Sequence, residues 1–354
     1  MYRKDVIMDK LNIAILFGGC SPEYSVSLES AHAVITHLDQ TRYAPVLIGI
    51  SPSGDWYHFT GDVEKIRLDT WNNPTDCAPA LVSPDRSACA LLVPSSGKRI
   101  RLDAGFPVLH GKNGEDGTVQ GIFELAGIPL VGCGVLASAL CMDKDRAHKL
   151  VQAAGVAVPA SAVLERETDA GEALAAAETL GFPLFVKPVR AGSSYGITKI
   201  MERNELPAAL KLAFQYDSRV VLEEAVSGFE VGCAVLGDDT LTVGELDEIE
   251  LAGGFFNFTE KYTLKTSAIH VPARISPEKT AEIKRIAQHI YKVLGCQGFA
   301  RVDMFLDEDG RVVLNEVNTI PGFTAHSRYP SMMKAAGMSL EQIISAVIEL
   351  AVKR

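Results

Sequence analysis

The sequence has few features of a secreted, membrane-spanning or zinc-binding protein. Its seven cysteines are odd in number, widely scattered and never arranged as CxxC, which argues against a disulfide framework and against a zinc site. No run of eighteen or more uncharged apolar residues occurs, and the charged N-terminal stretch lacks the apolar part of a signal peptide. We therefore expect a cytoplasmic protein with reduced, mostly buried thiols and no membrane partner.

Long basic runs are also missing, and the formal net charge is -10 at pH 7. This balance excludes a large nucleic-acid interface, because such interfaces neutralise phosphates with many lysines and arginines. The chain does have length and apolar content, since its 354 residues are 47% hydrophobic. We expect two or three folded domains with substantial cores, in which local lysines can still bind a phosphate.

The first third of the chain alternates between strand and helix patterns. Strands are predicted at 13–17, 45–50, 106–109 and 128–131, and helices at 27–38 and 119–126. This order is typical of a parallel sheet with crossover helices. Residues 51–100 carry few helical patterns and several Pro, Ser and Asp residues, so we expect an irregular excursion there.

The pattern changes after Gly132, and we place domain boundaries near residues 137 and 225. Beyond the first boundary we predict a helix at 142–154, strands at 184–188 and 220–224, a flexible loop at 190–196 and a final helix at 339–354. The final helix begins with a capping box formed by Ser339 and Gln342.

The most informative segment is a predicted β-hairpin with an Asp-Gly turn at 309–310. A two-residue turn at that point places Asp303 opposite Glu316. It also places Arg301 opposite Asn318. Because side chains alternate between the two faces of a strand, all four side chains share one face of the hairpin.

Two carboxylates directly opposite each other repel unless a cation lies between them. Oxygen ligands from Asp, Glu and Asn suit magnesium, which takes few protein ligands and completes its shell with water and substrate phosphates. The hairpin face therefore indicates a magnesium site. The alternative interpretation is a solvated ribbon whose charges point into water.

Phosphate binding is predicted by weaker patterns. No GxxxxGK[ST] segment occurs, so a P-loop is excluded. The Gly-Ser-Ser-Tyr-Gly loop at 192–196 is suited to cover a phosphate with backbone N–H groups, and Lys187 and Lys144 can supply charge. The alternatives are a plain flexible turn and two solvated lysines. The GxGxxA segment at 132–137 resembles a dinucleotide site, but no acidic strand end follows about twenty residues later, which disfavours that reading.

Taken together, ordered motifs along nearly the whole chain resemble the D-alanine-D-alanine ligase family of the ATP-grasp superfamily. The motifs are Phe-Gly-Gly-Cys-Ser-Pro-Glu at 17–23, His-Gly at 110–111 through Gly-Thr-Val-Gln-Gly at 117–121, Cys-Met-Asp-Lys at 141–144, Val-Lys-Pro at 186–188, Gly-Ser-Ser at 192–194, Lys-Tyr at 261–262 and Asn-Glu-Val-Asn at 315–318. The resemblance implies an α/β and α+β fold. A Rossmann-like N-terminal domain (1–137) is followed by a two-part ATP-grasp fold (138–224 and 225–354).

The resemblance also implies a binding site for ATP and two magnesium ions, with manganese as a substitute. The implied nucleotide-binding residues are Lys144, Lys187, Ser194, Glu223, Glu224, Val226, Glu230 and Lys261. Within this set, the lysines contact phosphates, with Lys261 on a closing loop. Glu223 and the backbone of Val226 hold adenine, and Glu230 binds ribose. The implied metal ligands are Asp303, Glu316 and Asn318, which agrees with the hairpin argument.

The implied reaction activates the carboxylate of D-alanine as an acyl phosphate, which the amine of a second substrate then attacks. The implied catalytic residues are Glu23, Ser193, Tyr262, Arg301 and the backbone of Gly322. Glu23 anchors the ammonium of the first D-alanine, while Arg301 and Gly322 stabilise the oxyanion. We expect His110 to face the site, because it begins a turn-rich loop at the end of a strand.

The second substrate is predicted from Arg328. D-lactate-using members of the family replace the Lys-Tyr pair with a His-containing segment, and that pair is intact here, which disfavours D-lactate. Ordinary D-alanine-D-alanine ligases carry an apolar residue where Arg328 stands. Together with Ser327, Asp247 and Phe256, Arg328 resembles the G-type vancomycin-resistance D-alanine-D-serine ligases, although some D-lactate ligases also carry arginine at this position.

We therefore expect D-serine as the second substrate, in peptidoglycan precursor synthesis and with a link to vancomycin resistance. The alternative is an ordinary D-alanine-D-alanine ligase. Lower-ranked readings are another ATP-grasp carboxylate-amine ligase and a nucleotide-binding regulator that has lost the chemistry. The resemblance further implies a homodimer.

Overall fold

The computed structural model describes residues 10–251, 267–324 and 326–354, and in these ranges the chain forms four β-sheets with helices packed between and around them. The strands are β1 (Leu11–Gly18), β2 (Tyr43–Ile50), β3 (Trp56–Phe59), β4 (Cys77–Pro79), β5 (Leu81–Val82), β6 (Ala90–Val93), β7 (Lys98–Arg101), β8 (Ala104–Pro107), β9 (Ser161–Glu165), β10 (Leu184–Pro188), β11 (Thr198–Ile200), β12 (Arg219–Glu224), β13 (Phe229–Gly237), β14 (Leu241–Leu251), β15 (Ser267–His270), β16 (Phe299–Leu306) and β17 (Val312–Asn318). The helices are α1 (Tyr24–Thr36), α2 (Glu64–Arg67), α3 (Thr118–Ala126), α4 (Val135–Met142), α5 (Lys144–Ala153), α6 (Ala170–Leu180), α7 (Leu206–Ala213), α8 (Pro277–Val293), α9 (Arg328–Ala335) and α10 (Leu340–Lys353). The predicted site residues Phe256, Lys261 and Tyr262 lie outside the described residues.

The N-terminal sheet has the strand order β4-β3-β2-β1-β8, and β1 runs parallel to both β2 and β8. Strands β2, β1 and β8 form the parallel arrangement that the alternating strand and helix patterns predict, whereas β3 and β4 extend the sheet in antiparallel orientation. β1 lies in the middle of the sheet, and residues 13–17 are completely buried, which explains why that strand is apolar without alternation.

Two predictions for the N-terminal part were wrong. Residues 51–100 were predicted to be irregular, but they contain β3 to β7 and α2. Their strands are only two to four residues long, too short to show an alternating pattern. Residues 128–131 were predicted to form a strand, but they make only an isolated bridge, between Gly105 and Leu130.

The central sheet is antiparallel, with the order β11-β10-β12-β9. Strand β10 has the predicted bounds. The neighbouring strand β12 runs antiparallel to it, so that Phe185 pairs with Glu223 and Lys187 with Val221. This register brings a lysine of one strand close to a glutamate of the next. The domain boundary expected near residue 225 follows β12, and the one expected near 137 falls within α4.

The C-terminal sheet is also antiparallel, with the order β15-β14-β13-β16-β17, and α8 covers one of its sides. The last two helices lie between this sheet and the N-terminal one: α9 packs against β13 and β14, while Ile343, Ile344 and Val347 of α10 share a core with Ile13 and Ile15 of β1. The capping box predicted at the start of α10 is present. In the described part of the chain, no single helix is long and apolar enough to cross a membrane, although α9 and α10 reach that threshold as a sharply bent pair.

In the β16–β17 hairpin the residues farthest from the turn pair as predicted, but the turn itself is longer than predicted. Asp307 donates its N–H to the carbonyl of Arg311 at 3.0 Å, and Gly310 has a φ of +79°, so the loop has three residues, not the predicted two. A bulge then follows, because Met304 pairs with Leu314 while Asp303 pairs with Glu316. The extra residue, Asn315, restores the register that the longer loop had shifted.

All seven cysteines lie in the described residues and are free thiols, as predicted. Four of them are buried: Cys133, Cys141, Cys233 and Cys296. The Sγ atoms of Cys141 and Cys296 are 3.7 Å apart, a thiol–thiol hydrogen bond and not a disulfide.

The packing around Trp71 predicts that Gly49 does not tolerate a side chain. A Cβ at Gly49 in β2 would lie 2.3 Å from the buried indole ring of Trp71. We expect Gly49→Ala to lower the free energy of unfolding by about 1 to 3 kcal/mol, because the ring has to move within a packed core. The measurement is urea-induced unfolding.

Gly121→Ala in α3 is the matched control. Its added methyl group would lie 3.9 Å from Val135, an ordinary contact, and alanine stabilises a helix by roughly 0.5 to 1 kcal/mol relative to glycine. An unchanged unfolding midpoint for Gly49→Ala would contradict the packing argument.

Candidate active site

Two cavities contain most of the predicted site residues. The first cavity has a volume of about 570 Å³ and is lined by the predicted residues Glu23, His110, Ser193, Arg301, Asn318, Gly322, Ser327 and Arg328. The second cavity has a volume of about 470 Å³ and is lined by the predicted residues Lys144, Lys187, Ser194, Glu223, Glu224, Val226, Glu230 and Glu316. Apart from Asn318 and Glu316, which the sequence assigned to the metal, the first group was assigned to substrate binding and catalysis and the second to nucleotide binding.

A narrow cleft of about 30 Å³ shares lining residues with both cavities. Gly192 and Asn318 belong to the cleft and to the first cavity, whereas Lys144 and Glu316 belong to the cleft and to the second cavity. A group bound in one cavity can therefore approach a group bound in the other at this cleft.

The second cavity contains a buried ion pair. Lys187 of β10 donates from Nζ to Oε1 of Glu223 in β12, and both side chains are almost completely buried. The other oxygen, Oε2 of Glu223, is buried and accepts no hydrogen bond within the described residues. A buried carboxylate oxygen of this kind is costly unless a donor reaches it, so the site is suited to a ligand with an N–H group. Glu224 accepts a hydrogen bond from the Ala160 N–H at 2.9 Å.

Lys144 stands at the first turn of α5, directly after its N-cap, Asp143, whose side chain accepts the N–H of Arg146. The Nζ of Lys144 donates to the carbonyl of Ala191 at 2.8 Å and lies 3.7 Å from Oε2 of Glu316. The amine is thus held at the cleft, between the 192–196 loop and β17.

The 192–196 loop has a strained backbone. Ser193 and Ser194 both have positive φ, at 46° and 60°, a region that residues other than glycine seldom enter. Oγ of Ser193 donates to Oε1 of Glu23, a contact between residues 170 positions apart that ties the loop to α1. The loop therefore closes one side of the first cavity.

Glu23 is enclosed by backbone as well as by Ser193. A Cβ on Gly111 or on Gly192 would lie 2.5 or 2.8 Å from Oε2 of Glu23, so a side chain at either position would displace the carboxylate. Ser21 accepts the N–H of Glu23 and donates to the carbonyl of His110 at 2.6 Å. The carboxylate of Glu23 is consequently fixed where α1 meets the loop after β8.

His110 faces the first cavity but uses both ring nitrogens internally. Burial, with a smaller contribution from Arg301, lowers the pKa of His110 to about 4, so the ring is neutral at pH 7. Nδ1 lies 3.0 Å from the carbonyl oxygen of Ile320 and therefore carries the hydrogen, while Nε2 accepts from Ser30. His110 thereby holds the segment that leads to Gly322.

Glu115 is a site residue that the sequence analysis missed. Its carboxylate accepts the N–H groups of Gly111 at 2.8 Å and Ile320 at 3.2 Å. Burial, together with the nearby charge of Glu23, raises the pKa of Glu115 to about 8. The available signal was an acidic residue five positions after His110 in a turn-rich segment.

The polar face of the β16–β17 hairpin is assembled as the pairing requires. The guanidinium of Arg301 donates to Asp303 through Nε at 2.8 Å and Nη2 at 2.7 Å, and Nδ2 of Asn318 donates to the same carboxylate at 2.9 Å. Among the described residues, no three His, Cys, Asp or Glu side chains converge closely enough to form a metal site. The predicted set of two carboxylates and one amide nonetheless shares a face and offers the oxygen donors that magnesium takes.

Arg328, the first residue of α9, is buried at the wall of the first cavity among carboxylates. Its Nε and Nη2 donate to both oxygens of Asp247 at 2.7 and 2.8 Å, and its Nη1 donates to Glu230 at 2.6 Å. Nη2 also lies 3.5 Å from Asp303. Asp247 is completely buried behind Arg328, accepts the N–H of Gly232 as well, and does not line the first cavity.

Comparison with protein families gives two adjacent matches. Residues 12–133 match the family model described as D-ala D-ala ligase N-terminus, and residues 150–349 match the one described as D-ala D-ala ligase C-terminus. The two matches span most of the chain and confirm the predicted resemblance.

Individual relatives agree with the family models. The chain is 47% identical to the vancomycin B-type resistance protein VanB of Enterococcus faecalis, across 98% of this chain and 100% of the relative. It is 42% identical to a D-alanine-D-alanine ligase of Caldicellulosiruptor bescii, across 98% and 96% of the two chains.

A solved structure supports the same assignment at the level of the fold. The crystal structure of VanG D-Ala:D-Ser ligase from Enterococcus faecalis superposes with a TM-score of 0.90 at 55% identity, covering 97% of this chain and 100% of that one. The match confirms the predicted fold class, a Rossmann-like part followed by an ATP-grasp part. The chain therefore belongs to the D-alanine-D-alanine ligase family of ATP-dependent ligases.

Proposed function

We propose that this chain joins D-alanine to D-serine in an ATP-dependent reaction that supplies peptidoglycan precursors. The observation that carries the choice of D-serine is the buried guanidinium of Arg328 at the wall of the first cavity. In the first step, a carboxylate oxygen of D-alanine bonds to the γ-phosphorus of ATP and ADP leaves. In the second step, the amine of D-serine attacks the acyl carbon, phosphate leaves and the amine loses a proton.

ATP binding is assigned to the second cavity. The buried Oε2 of Glu223 is a suitable acceptor for the exocyclic amino group of adenine, and Val226 lies beside it in the cavity wall. Lys187 and Lys144 supply positive charge toward the phosphates. Lys144 belongs to the cleft as well, which suits it to the phosphate that is transferred.

The hairpin face fits magnesium, or manganese in its place. Asp303, Glu316 and Asn318 would hold the metal, because their oxygen donors lie on one side of β16 and β17. When bound, the metal neutralises phosphate charge during transfer.

The first D-alanine is assigned to the inner part of the first cavity. Glu23 accepts its ammonium at the end of the cavity where Gly111 and Gly192 surround the carboxylate. Arg301 and the backbone of Gly322 donate to the oxyanion that forms at the acyl carbon. Outside the described residues, Tyr262 completes a hydrogen-bonded network with Glu23 and Ser193 near the first D-alanine, and Lys261 contacts the transferred phosphate.

D-serine is favoured by the donors that Arg328 retains. Of the five N–H groups of a guanidinium, three donate to Asp247 and Glu230 within the described residues. One N–H remains on Nη1 and one on Nη2, and Nη2 also lies 3.5 Å from Asp303. Because Arg328 lines the first cavity, these donors are suited to a substrate hydroxyl, whereas a leucine at this place would favour a methyl group. A solved relative named as a D-Ala:D-Ser ligase, at 55% identity, supports this choice. The alternative, D-alanine as second substrate, is supported by the relative named as a D-alanine-D-alanine ligase.

The first prediction from the proposed function concerns the choice of the second substrate. With D-alanine, D-serine and D-lactate offered together, we expect D-alanyl-D-serine to be the main product by mass spectrometry. Arg328→Leu should lower kcat/KM for D-serine roughly 5- to 150-fold, because the loss of a hydrogen bond to the hydroxyl removes about 1 to 3 kcal/mol of transition-state stabilisation. The KM for the first D-alanine should not change.

Lys334→Leu on the exposed side of α9 is the control, since it makes the same change of charge on the same helix. The quantity compared is the ratio of D-serine to D-alanine incorporation at the second position, which does not depend on the folded fraction. An unchanged ratio in Arg328→Leu, or a D-lactate product from the unmodified chain, would count against D-serine.

The second prediction concerns adenine recognition. We expect the protein to bind ADP about 10- to 100-fold more tightly than inosine diphosphate, which lacks the amino group that Glu223 accepts. In Glu223→Gln this preference should shrink to within about 3-fold, because the amide oxygen is needed as the partner of Lys187 and the NH2 group, which only donates, then takes the place of Oε2. Isothermal titration calorimetry measures both affinities. Glu165→Gln changes an exposed acid on β9 and is the control, which should keep the preference of the unmodified protein for ADP over inosine diphosphate. If Glu223→Gln also keeps that preference, adenine does not bind at Glu223.

The third prediction concerns pH. His110 has a pKa of about 4 in the folded protein and an ordinary value of 6.5, so the unfolded chain binds the extra proton between these values. Folding stability is therefore lost as the pH falls from 6.5 toward 4, by up to about 3 kcal/mol from this group. His110→Asn keeps a donor near the Nδ1 position but does not titrate. The unfolding free energy of the unmodified protein minus that of His110→Asn should therefore fall by about 3 kcal/mol between pH 7 and pH 4.

Urea unfolding at a series of pH values measures this difference. Ile66→Val, a core change without a titrating group, should give a difference that is constant over the same range. A His110→Asn difference that is equally large at pH 4 and pH 7 would show that the ring is not held neutral by burial.

A further inference from the structure

His148 is a buried side chain that the proposed reaction does not use. It lies on α5, one turn after Lys144, and its side chain is only 5% exposed. Burial lowers its pKa, so the ring carries one hydrogen at neutral pH. Its Nε2 lies 2.7 Å from the backbone carbonyl oxygen of Asn315, which can only accept, so the hydrogen is on Nε2.

Asn315 is the extra residue of the bulge in β17. On one side of it Leu314 pairs with Met304, and on the other side Glu316 pairs with Asp303. A bulge leaves the extra residue out of the ladder of the partner strand, so its backbone groups need other partners. The carbonyl of Asn315 finds its partner in the imidazole of His148.

The neighbouring backbone on the same edge of β17 is also held. The N–H of Leu314 donates to the carbonyl of Ala157 at 2.9 Å, on the chain that follows α5. On the other side, Lys144 of α5 approaches Glu316 at 3.7 Å. Residues 144 and 148 lie on the same face of the helix, so α5 contacts β17 at two successive residues, Asn315 and Glu316.

The bulge decides which side chains of β17 face Asp303. Because side chains alternate along a strand, a register one residue shorter would turn Glu316 and Asn318 to the opposite face of the sheet. The three-residue loop of the hairpin would produce that shorter register if the strands paired without a bulge. The contact that holds Asn315 therefore acts on the positions of two candidate metal ligands.

We propose that His148 is a positioning residue for the metal ligands: its Nε2–H bond to the carbonyl of Asn315 fixes the bulge that keeps Glu316 and Asn318 on the face of Asp303. The inference rests on the proposed function, because it assigns the metal to that face. His148 lines neither cavity, and its Nδ1 lies 4.0 Å from Oε2 of Glu223, beyond hydrogen-bond distance, so it acts through β17 and not by contact with a substrate.

Two variants of His148 test this role, because both carry a side-chain amide but only one of them is long enough to reach the carbonyl of Asn315. The side-chain amide of His148→Gln can occupy the position of Nε2 and donate to Asn315, whereas the amide of His148→Asn is one methylene shorter and does not reach. The measurements are Mn²⁺ binding to the protein with ADP, followed by electron paramagnetic resonance, and metal-free ADP binding by calorimetry.

We expect His148→Asn to weaken Mn²⁺ binding about 10- to 100-fold, as loss of a supporting hydrogen bond does at other metal sites, while metal-free ADP affinity changes less than about 3-fold. His148→Gln should restore Mn²⁺ affinity to within about 3-fold of the unmodified protein. A general loss of structure would lower both affinities in both variants and would overturn the assignment.

The outcomes separate this inference from the proposed function. Equal Mn²⁺ affinity in His148→Asn and the unmodified protein would overturn the role of His148 and leave the metal site standing. Failure of the unmodified protein to bind Mn²⁺ with ADP would overturn both. Metal affinity lost in His148→Asn and retained in His148→Gln would support both.

Discussion

The site depends on the antiparallel pairing of β16 with β17 and on the one extra residue that β17 carries. Side chains alternate between the faces of a strand, so the register decides whether Glu316 and Asn318 lie beside Asp303 or on the other side of the sheet. Contacts from α5 and from the chain after it hold the outer edge of β17 where the bulge occurs. The polar face is thus fixed by packing from outside the hairpin as well as by the hairpin itself.

Buried charge is the second constraint, and it connects the two cavities. The guanidiniums of Arg301 and Arg328 lie among the carboxylates of Asp303, Asp247 and Glu230, with most contacts between 2.6 and 2.8 Å. A buried ion without its partner costs about 3 to 5 kcal/mol, so each member of this network restrains the others. Because Arg328 lines the first cavity and Glu230 the second, the groups proposed to meet the second substrate and the ribose are positioned by one set of ion pairs.

The first cavity also contains a histidine that is kept uncharged. Burial holds the ring of His110 neutral, and its Nδ1–H donates to the carbonyl of Ile320 while Glu115 accepts the N–H of the same residue. Both contacts come from the loop after β8 and fix the segment that ends at Gly322. Among the described residues that line this cavity, the permanently charged cations are arginines, and arginine suits an oxyanion because it stays protonated at every relevant pH.

The sequence by itself determined the features that depend on neighbouring residues in the chain. These are the apolar strands, the capping box of α10, the order of the family motifs and the pairing of Asp303 with Glu316. That pairing was predicted correctly although the loop is one residue longer than predicted, because the bulge adds one residue to β17 and the two differences cancel. Only the tertiary structure decided the contact of Arg328 with Asp247, 81 positions away, and that of His148 with β17, 167 positions away. Local alternation and spacing carry no information about such contacts, since they are set by how distant helices and strands pack against each other.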